Sequence, residues 1–249
     1  IEKPATVETS PDLAAQGVKE LIGTGHTAFA GSPNNRIHNI KTGIDKFNGL
    51  TIKPGETFSF NDNLGVVDDT TGYKLELVIK AEGTIPEYGG GICQVSSTAF
   101  KAALWSGLPI VERSNHSYAV SYYAQIDGYG LDSTIYPGVK DLRFTNDTPG
   151  TIVIQSYLVG TDAYFKFYGT SDGRTVKMEG PIQSNYKPGG GTVLVPSKTL
   201  APGAKKQVES SHPGFDILWT RTVIKNGQEI KDKIISNYRA TSNRILVGE

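Results

Sequence analysis

The spacing of apolar residues along the chain predicts three helices. The first covers residues 10–22, with a serine as its N-cap and a proline at its first helical position. The second covers residues 34–49, where isoleucine and phenylalanine recur at three- to four-residue spacing before an Asn-Gly pair ends the pattern. The third covers residues 94–105 and is followed by glycine. The pattern therefore indicates a few helices separated by long non-helical stretches.

Alternation of apolar and polar residues, with frequent turn signals, predicts strands in most of the remaining chain. The clearest hairpin lies near the C-terminus, where Asn226-Gly227 is a favoured pair for a two-residue type I′ turn. Two glycine- and proline-containing stretches, residues 187–192 and 197–206, are interpreted as loops. The other predicted strands lie in residues 26–32, 50–62, 74–81, 117–124, 141–145, 151–158 and 164–169.

These elements predict an α+β fold. We expect a mixed domain with a few helices packed on a mainly antiparallel sheet, followed by a small all-β module. Residues 1–23 are assigned to a linker and the N-terminal helix, residues 24–170 to the mixed domain, and residues 171–249 to the β-rich module.

Composition excludes some classes of function. The 249 residues carry 25 Lys and Arg against 25 Asp and Glu, so no nucleic-acid partner is predicted. The chain lacks a run of 18 apolar residues, so no membrane contact is predicted for this fragment. Because the chain begins without methionine, we expect a processed or trimmed piece, with any signal or anchor in a missing upstream segment.

The single cysteine, Cys93, follows three glycines and precedes the third predicted helix. Glycine adopts positive φ and has no Cβ, so Gly90 and its neighbours leave backbone N–H groups free to point into one cavity. The start of a helix favours an anion, and we expect it to lower the pKa of the Cys93 thiol. The same N–H groups suit the oxyanion of a tetrahedral intermediate. The pattern therefore predicts a nucleophile beside an oxyanion hole.

Two other interpretations of this stretch stay open on the residues alone. Free cysteines are often buried and inert, and in that case the glycines form only a tight turn between strand and helix. A phosphate-binding loop is less well supported, because no lysine follows the glycines as a P-loop requires.

A cysteine nucleophile needs a base, and His116 is the best candidate among the four histidines. It lies in a polar stretch with Arg113, Asn115 and Ser117, just before an alternating segment. The alternative is a hydrogen-bonded histidine at a strand edge. There is no HExxH motif and no pair of histidines at ligand spacing, so neither a metal nor a cofactor is predicted.

Six motifs stand out along the chain: GSPNNRIHNI, PGETFSFND, TGYKLELVI, GGGICQVSST, VERSNHS and DLRFTND. In combination they resemble the VanW-type domain family of Gram-positive cell-wall proteins, over residues 24–168. The segment from residue 211 to the terminal VG is similar to a small β module that often follows such domains.

The resemblance implies a cell-wall L,D-transpeptidase, since some members of this family are taken to be such enzymes and to use the cysteine of the glycine motif. Cys93 would attack the carbonyl of the third residue of a tetrapeptide stem, form a thioester and release D-alanine. An amine of a second stem would then give a 3→3 cross-link, and water would give a carboxypeptidase. The partner would be peptidoglycan stem peptides. The location would be extracellular, either cell-wall associated or membrane-anchored through a missing N-terminal segment.

Site roles follow from this chemistry. His116 would take the thiol proton and later protonate the leaving amine, with Asp132 orienting the imidazole. Backbone N–H groups of Gly90, Gly91 and Ile92 would hold the oxyanion. The candidates to orient or bind the substrate are Gln94, Ser96, Ser97, Arg113, Asn115, Ser117 and Arg143.

Two other functions stay open. A non-catalytic peptidoglycan-binding or scaffold domain predicts Cys93 buried in apolar packing and inert to thiol reagents. A metal-dependent wall amidase or peptidase predicts bound metal. The transpeptidase hypothesis instead requires Cys93 and His116 in one solvent-open cleft.

Overall fold

The computed structural model describes residues 18–80 and 83–249. This part of the chain has an α+β fold that is dominated by antiparallel sheet. Its α-helices are α1 (Asn34–Asp45), α2 (Phe60–Leu64) and α3 (Ile92–Trp105). Helices α1 and α3 correspond to the predictions for residues 34–49 and 94–105. Within the described ranges, no helix is long and apolar enough to cross a membrane.

A four-stranded antiparallel sheet, in the order β1-β9-β8-β2, forms the centre of the mixed domain. Helix α3 packs on β1 and β9, and α1 packs on β8 and on α3. Large apolar side chains fill the space between these layers, among them Ile40, Phe47, Val95, Phe165 and Phe167. The strands are β1 (Glu20–Ala28), β2 (Thr51–Ile52), β8 (Ile152–Val159) and β9 (Asp162–Gly169).

Glycines in β1 allow α3 to lie close to the sheet. A Cβ at Gly25 would overlap the carbonyl oxygen of Thr98, and a Cβ at Gly23 would overlap the side chain of Ser106. Only a residue without a side chain fits between strand and helix at these positions. Close packing of this kind fixes α3, and with it the cysteine in its first turn, against the sheet.

Strand β1 shows that the helix prediction for residues 10–22 is wrong at its end. Leu21 lies in β1 and pairs with Tyr168 of β9. Pairing with a strand far along the chain therefore outweighs the helical spacing of the apolar residues. The serine and proline signals at the start of that prediction, and the linker before them, lie outside the described residues.

Smaller sheets complete the mixed domain. Strands β3 (Thr57–Ser59), β6 (Ile110–Glu112) and β7 (Arg143–Thr145) form an antiparallel sheet in the order β3-β7-β6. Strands β4 (Leu75–Lys80) and β5 (Gly83–Tyr88) form a hairpin that leads into the three glycines before α3. The predicted strands in residues 74–81, 141–145, 151–158 and 164–169 correspond to β4, β7, β8 and β9.

The predicted strand at residues 117–124 is wrong. Ser121–Ala124 form a short 3-10 helix, and the four residues before it are in neither helix nor strand. The alternating pattern has another cause, because Tyr118 stacks on His212 and Tyr123 stacks on His116. Aromatic stacking, and not strand pairing, therefore holds this segment in place.

The C-terminal part consists of two three-stranded sheets, in the orders β10-β13-β14 and β11-β15-β12. The predicted hairpin turn is confirmed, because Asn226 and Gly227 have φ values of 52° and 75°. Both predicted loops are shorter than expected, since β10 runs to Lys187, β11 begins at Gly190 and β12 begins at Lys205. The strands are β10 (Thr175–Lys187), β11 (Gly190–Ser197), β12 (Lys205–Glu209), β13 (Gly214–Lys225), β14 (Gln228–Tyr238) and β15 (Ser242–Gly248).

The β10-β13-β14 sheet shares a hydrophobic core with the mixed domain. Phe215, Trp219 and Tyr238 belong to the same buried cluster as Phe100 of α3. The Nε1–H of Trp219 also donates to the carbonyl oxygen of Tyr129 (2.8 Å). Side chains of β13 and β14 are therefore held against the segment that follows His116.

Candidate active site

Cys93 lies in the first turn of α3, directly after the glycine turn formed by Gly89, Gly90 and Gly91. Gly91 precedes the helix in the left-handed region with φ of 113°, and Gly89 has φ of 81°. A Cβ at Gly90 would come within 2.8 Å of the backbone of Glu76 on β4. The turn therefore requires glycine for conformation at two positions and for space at the third.

The backbone N–H groups of this turn differ in availability. The N–H of Ile92 donates to the carbonyl oxygen of Gly89 (3.0 Å), so it is occupied within the turn. Among the described residues, the backbone hydrogen bonds of the turn do not use the N–H groups of Gly90, Gly91 and Cys93. The predicted donor at Ile92 is therefore occupied within the turn, and the N–H groups of Gly90, Gly91 and Cys93 are the candidate donors to an oxyanion.

His116 and Asp132 form a buried hydrogen-bonded pair. Asp132 Oδ2 accepts from Nδ1 of His116 (2.6 Å) and from the backbone N–H of the same residue (2.8 Å). Burial alone would lower the pKa of His116, but the hydrogen bonds and charges of Asp132 and Cys93 raise it to about 9. Burial alone would raise the pKa of Asp132, but His116 and Arg113 hold it well below its usual range. The imidazole is therefore protonated at neutral pH.

The Cys93 thiol and the imidazole of His116 line the same cleft and interact with each other. Since Nδ1 is bound to Asp132, we infer that Nε2 is the nitrogen available to the sulfur. Sγ also lies 3.6 Å from Oγ1 of Thr134 and 3.9 Å from the carbonyl oxygen of Ile135. Burial raises the pKa of Cys93, but the hydrogen bond and positive charge of His116 outweigh burial, and the pKa is lowered. The arrangement favours a thiolate–imidazolium pair.

The C-terminal part of the chain supplies contacts that fix Asp132. The hydroxyl of Tyr238, at the end of β14, donates to Oδ1 of Asp132 and accepts from the backbone N–H of Gly130 (3.1 Å). Ser236 on the same strand donates to the carbonyl oxygen of Gly130 (2.9 Å). The last residues of β14 therefore hold the loop that carries Asp132.

Charges alternate in sign through the buried part of the site. The guanidinium of Arg113 lies 3.4 Å from Oδ1 of Asp132, and its side chain is only 7% exposed. The order of charges is then positive at Arg113, negative at Asp132 and positive at His116, with the Cys93 thiol, whose pKa is lowered, beside the imidazole. Each ion has an opposite charge beside it, which offsets the free-energy cost of removing it from water.

Tyr123 fixes the plane of the imidazole. Its ring stacks on that of His116 with centroids 4.7 Å apart and planes 20° from parallel. The buried ammonium of Lys101 on α3 donates to the carbonyl oxygen of Tyr123 (3.4 Å) and forms an ion pair with Asp127 (2.8 Å). The 3-10 helix is thereby held against α3, and the imidazole is held beside Cys93.

Cys93 and His116 line a cleft with a volume of about 920 Å³. Its walls come from the glycine turn, from β4, from the segment after His116 and from the start of β13. Six of its lining residues are aromatic: Tyr118, Tyr122, Tyr123, Tyr129, Tyr136 and Phe215. In the described part of the chain, no group of three or more His, Cys, Asp or Glu is placed to hold a metal ion.

The family model described as "VanW like protein" matches residues 35–168, more than half of the chain. The chain belongs to the VanW family. The matched segment, called the VanW domain below, contains Cys93, His116 and Asp132, whereas Tyr238 lies beyond it.

Two curated relatives share the VanW domain. The chain is 35% identical over 160 residues to the uncharacterized protein YoaR of Bacillus subtilis. This alignment covers 64% of this chain and 51% of YoaR. It is 38% identical over 121 residues to the vancomycin B-type resistance protein VanW of Enterococcus faecalis. This alignment covers 48% of this chain and 44% of the relative. The chain thus spans about half the length of these relatives.

Three predicted substrate residues on α3 of the VanW domain are buried and bonded within the protein. Gln94 Oε1 accepts from Nη2 of Arg36 (2.9 Å). Ser96 Oγ donates to the carbonyl oxygen of Ser133 (2.5 Å), and Ser97 Oγ accepts from the backbone N–H of the same residue (2.9 Å). These side chains hold the loop after Asp132 against α3 and do not line the cleft.

The other four predicted substrate residues also lie outside the cleft. Arg113 is bonded to Asp132 and β14, and Asn115 donates to a carbonyl oxygen of β14 (2.9 Å). The carbonyl oxygen of Ser117 accepts from a backbone N–H just after β14 (2.8 Å). Arg143 is exposed on β7. The structure therefore places Arg113, Asn115 and Ser117 at contacts between parts of the chain, and Arg143 at the surface.

Sequence reasoning missed several residues at the site. Arg36 lies in the GSPNNRIHNI motif and lines the cleft, so the motif could have indicated it. Thr134 follows Asp132 by two residues and contacts the thiol. Tyr238 gives no local signal, because it reaches Asp132 across 106 residues of sequence.

Alkylation of Cys93 by iodoacetamide is expected to follow a pKa below the ordinary value of 9.0, because the thiolate is the reactive form. The rate should therefore persist at pH values where an ordinary thiol is protonated. In His116→Ala the hydrogen bond and positive charge are lost while burial remains, so the apparent pKa should rise above the ordinary value. Mass spectrometry of the alkylated protein against pH measures both values.

His38→Ala is the matched control for this experiment. His38 lies on α1, and its Nε2 bonds the carbonyl oxygen of Gly72 (2.8 Å), away from the cleft. Its pH profile should equal that of the wild type. Identical profiles for the wild type, His38→Ala and His116→Ala would contradict the thiolate–imidazolium pair.

Tyr238→Phe is expected to lower the free energy of unfolding by about 1.5–3 kcal/mol, the usual contribution of a hydrogen bond to a charged group. The ring stays in the core, whereas Asp132 loses a donor and the N–H of Gly130 loses its acceptor. Denaturant titration measures the change. Tyr157→Phe is the control, because the ring of Tyr157 on β8 stacks on Tyr164 and lies under the ammonium of Lys166, contacts that the substitution keeps. Equal effects of the two substitutions would contradict the bond from Tyr238 to Asp132.

Proposed function

We propose that this chain is a cell-wall L,D-transpeptidase with Cys93 as its nucleophile. The observation that carries the proposal is the connected set Cys93–His116–Asp132 at the wall of an open cleft. A purely structural glycine turn would leave the thiol among apolar groups. Its neighbours are instead an imidazole, a hydroxyl and a carbonyl oxygen, which is the environment of an activated nucleophile.

The first half-reaction transfers an acyl group to sulfur. The Cys93 thiolate forms a bond to the carbonyl carbon of the third stem residue, and the carbonyl electron pair moves to oxygen. The free N–H groups of Gly90, Gly91 and Cys93 would bind this oxyanion. When it collapses, the carbon–nitrogen bond breaks and the nitrogen takes the proton from Nε2 of His116. The products are D-alanine and a thioester on Cys93.

The second half-reaction releases the thioester. An amine of another stem attacks the carbonyl carbon, and its proton passes to His116, which the first step left neutral. The carbon–sulfur bond then breaks, and Cys93 leaves as a thiolate beside a protonated imidazole. The starting state is restored without a cofactor. Water in place of the amine would make the same residues a carboxypeptidase.

The cleft suits a peptide substrate. Its volume of about 920 Å³ lies within the range of roughly 300–1,000 Å³ that is common for small-ligand sites. Tyrosine rings along its walls offer apolar faces to aliphatic stem residues, and their hydroxyls and the glycine turn offer hydrogen bonds to peptide groups.

The relative named for vancomycin resistance supports a cell-wall substrate, because vancomycin acts on cell-wall peptides. Peptidoglycan stem peptides as partners, and a location outside the cell, belong to the same proposal. Both follow from the proposed substrate, since the cross-linked wall lies outside the membrane.

Incubation of the protein with purified disaccharide-tetrapeptide tests the proposal. Mass spectrometry should detect free D-alanine, 3→3 linked dimers, and a protein whose mass has increased by a disaccharide-tripeptide acyl group on Cys93. Dimers without a thioester at Cys93 would indicate another nucleophile. If neither D-alanine nor a Cys93 adduct forms, the proposed function is wrong.

A further inference from the structure

Arg36 is a charged residue that lines the cleft and has no part in the two proposed half-reactions. It lies in the first turn of α1 and is half-buried. Nη1 donates to Oγ of Ser32 (2.7 Å), Nη2 donates to Oε1 of Gln94 (2.9 Å), and the guanidinium lies 4.3 Å from the ring centroid of Tyr122. Three different neighbours therefore fix the guanidinium in one orientation.

The same contacts place Arg36 beside the reactive pair. Its Cγ lies against the glycine turn, since a Cβ at Gly91 would come within 2.9 Å of it. Gln94, which it binds, is the residue after Cys93. The guanidinium also lies over the ring of Tyr122, the residue before Tyr123, whose ring stacks on His116. Arg36 therefore contacts a sequence neighbour of Cys93 and a sequence neighbour of the residue that stacks on the imidazole.

The charge of Arg36 is not neutralised within the described part of the chain. Other buried arginines have carboxylate partners, as Arg113 has Asp132 and Arg174 has Asp172. No described carboxylate forms an ion pair with Arg36, although Glu76 lines the same cleft. Its bonded neighbours are neutral side chains, and a guanidinium carries five donors, of which these bonds use only some.

We propose that Arg36 binds a carboxylate of the substrate on the leaving-group side of Cys93. A guanidinium fixed at the wall of a cleft and lacking a protein counter-ion is suited to a carboxylate, which it can bind through two parallel hydrogen bonds. The leaving nitrogen must face His116 to receive its proton, and Arg36 lies on the same side of the cleft, against Tyr122, whose neighbour Tyr123 stacks on His116. On the proposed function, the bound group is then the terminal carboxylate of the D-alanine that is released. Arg36 thereby selects donors that end one residue after the scissile bond.

Two small alkylating agents test the anion site without any stem peptide. Iodoacetate and iodoacetamide form the same bond to the Cys93 thiolate and release iodide, but only iodoacetate carries a carboxylate. Arg36→Gln should lower the ratio of the iodoacetate rate to the iodoacetamide rate by about 10-fold, the loss expected for one charge-assisted hydrogen bond. Arg36→Lys should retain part of the ratio. Arg143→Gln, which removes an exposed arginine on β7, should leave it unchanged.

The iodoacetamide rate is the internal control for an intact reactive pair. If it is retained in Arg36→Gln and the ratio does not fall, the inference is wrong. If Arg36→Gln does not fold, Arg36→Lys answers the question, because an unchanged charge in a shorter, non-planar group should still reduce the ratio. A ratio that falls equally in Arg143→Gln would also overturn the proposal, since it would report only net charge.

Stem peptides then test the leaving-group assignment. The wild type should prefer disaccharide-tetrapeptide with a free terminal carboxylate over the same compound with a terminal amide. Arg36→Gln should reduce this preference in kcat/KM by about 10-fold. If neither compound is turned over but the alkylation ratio falls, the proposed function is wrong and the anion site stands. If both are turned over with the same preference in wild type and Arg36→Gln, the assignment to Arg36 is wrong.

Discussion

Cys93→Ala is expected to abolish D-alanine release and 3→3 dimer formation, with a loss of at least about 10⁴-fold in rate, as for other covalent nucleophiles. The thioester cannot form without sulfur, and no other described nucleophile is paired with His116. Thr134, whose hydroxyl lies 3.6 Å from Sγ, has no base of its own and should not replace it. Mass spectrometry of the products and of the protein measures both effects.

The same substitution should change His116 in a predictable direction. The hydrogen bond and negative charge of Cys93 contribute to raising the pKa of His116 to about 9, so their loss should lower that pKa. The wild-type imidazole loses its proton only as the pH rises through about 9, whereas the variant should lose it at lower pH. NMR titration of His116 measures this shift.

Cys93→Ser provides the second variant. It keeps a hydroxyl in place of the thiol, but a serine hydroxyl does not ionise near neutral pH, so the ion pair should not form. We expect activity close to that of Cys93→Ala and a His116 pKa lowered in the same way. Full activity in either variant would contradict a nucleophilic role for Cys93.

The parts of the site that the sequence could predict are those whose chemistry is local. Three glycines before a helix define the backbone around Cys93, because positive φ and close approach to β4 leave few other residues possible. His116 could be selected since it is the histidine in a polar stretch before aromatic residues. The type I′ hairpin at Asn226 is local in the same sense. In each case the determining interactions lie within a few residues.

The parts that failed depend on contacts between distant segments. Residues near Cys93 in sequence were expected to face the substrate, but the helix turns Gln94, Ser96 and Ser97 into the protein, where distant backbone and Arg36 bind them. The strand β1 forms because β9 is available to pair with it. Neither fact is encoded in the spacing of the local residues. At this site, the three side chains that follow Cys93 in sequence therefore support the site and do not line the cleft.

Burial of three alternating charges beside a thiol of lowered pKa also bears on how the site is maintained. Each buried ion in the series Arg113, Asp132 and His116 is stabilised only while its neighbour is charged. Loss of the Asp132 charge leaves Arg113 and His116 without an opposite charge beside them, whereas loss of the Cys93 sulfur affects only His116. Asp132, which has three partners, should therefore be the position most sensitive to neutralisation.

Asp132→Asn is expected to reduce kcat by about 10³–10⁴-fold, the scale known for loss of the carboxylate in related nucleophile–histidine–acid sets. An amide has the shape of the carboxylate but no charge, so it orients the imidazole less well and does not stabilise its protonated form. The pKa of His116 should fall, and the pKa of Cys93 should rise because its cationic neighbour is weakened. The pH range in which thiolate and imidazolium coexist should then narrow from both ends, which iodoacetamide alkylation against pH would measure.

Asp147→Asn is the matched control, because Asp147 pairs with Arg174 and Lys225 but does not line the cleft. Asp147→Asn tests whether the loss of an ion pair outside the cleft lowers kcat and changes the alkylation profile as Asp132→Asn does. Asp132→Asn should also lower the free energy of unfolding by about 3–5 kcal/mol, since Arg113 is left buried without its counter-ion. Asp147 is partly exposed, and its removal should cost less than about 1 kcal/mol. A folded Asp132→Asn protein with wild-type alkylation and turnover would show that Cys93 and His116 act without a third group.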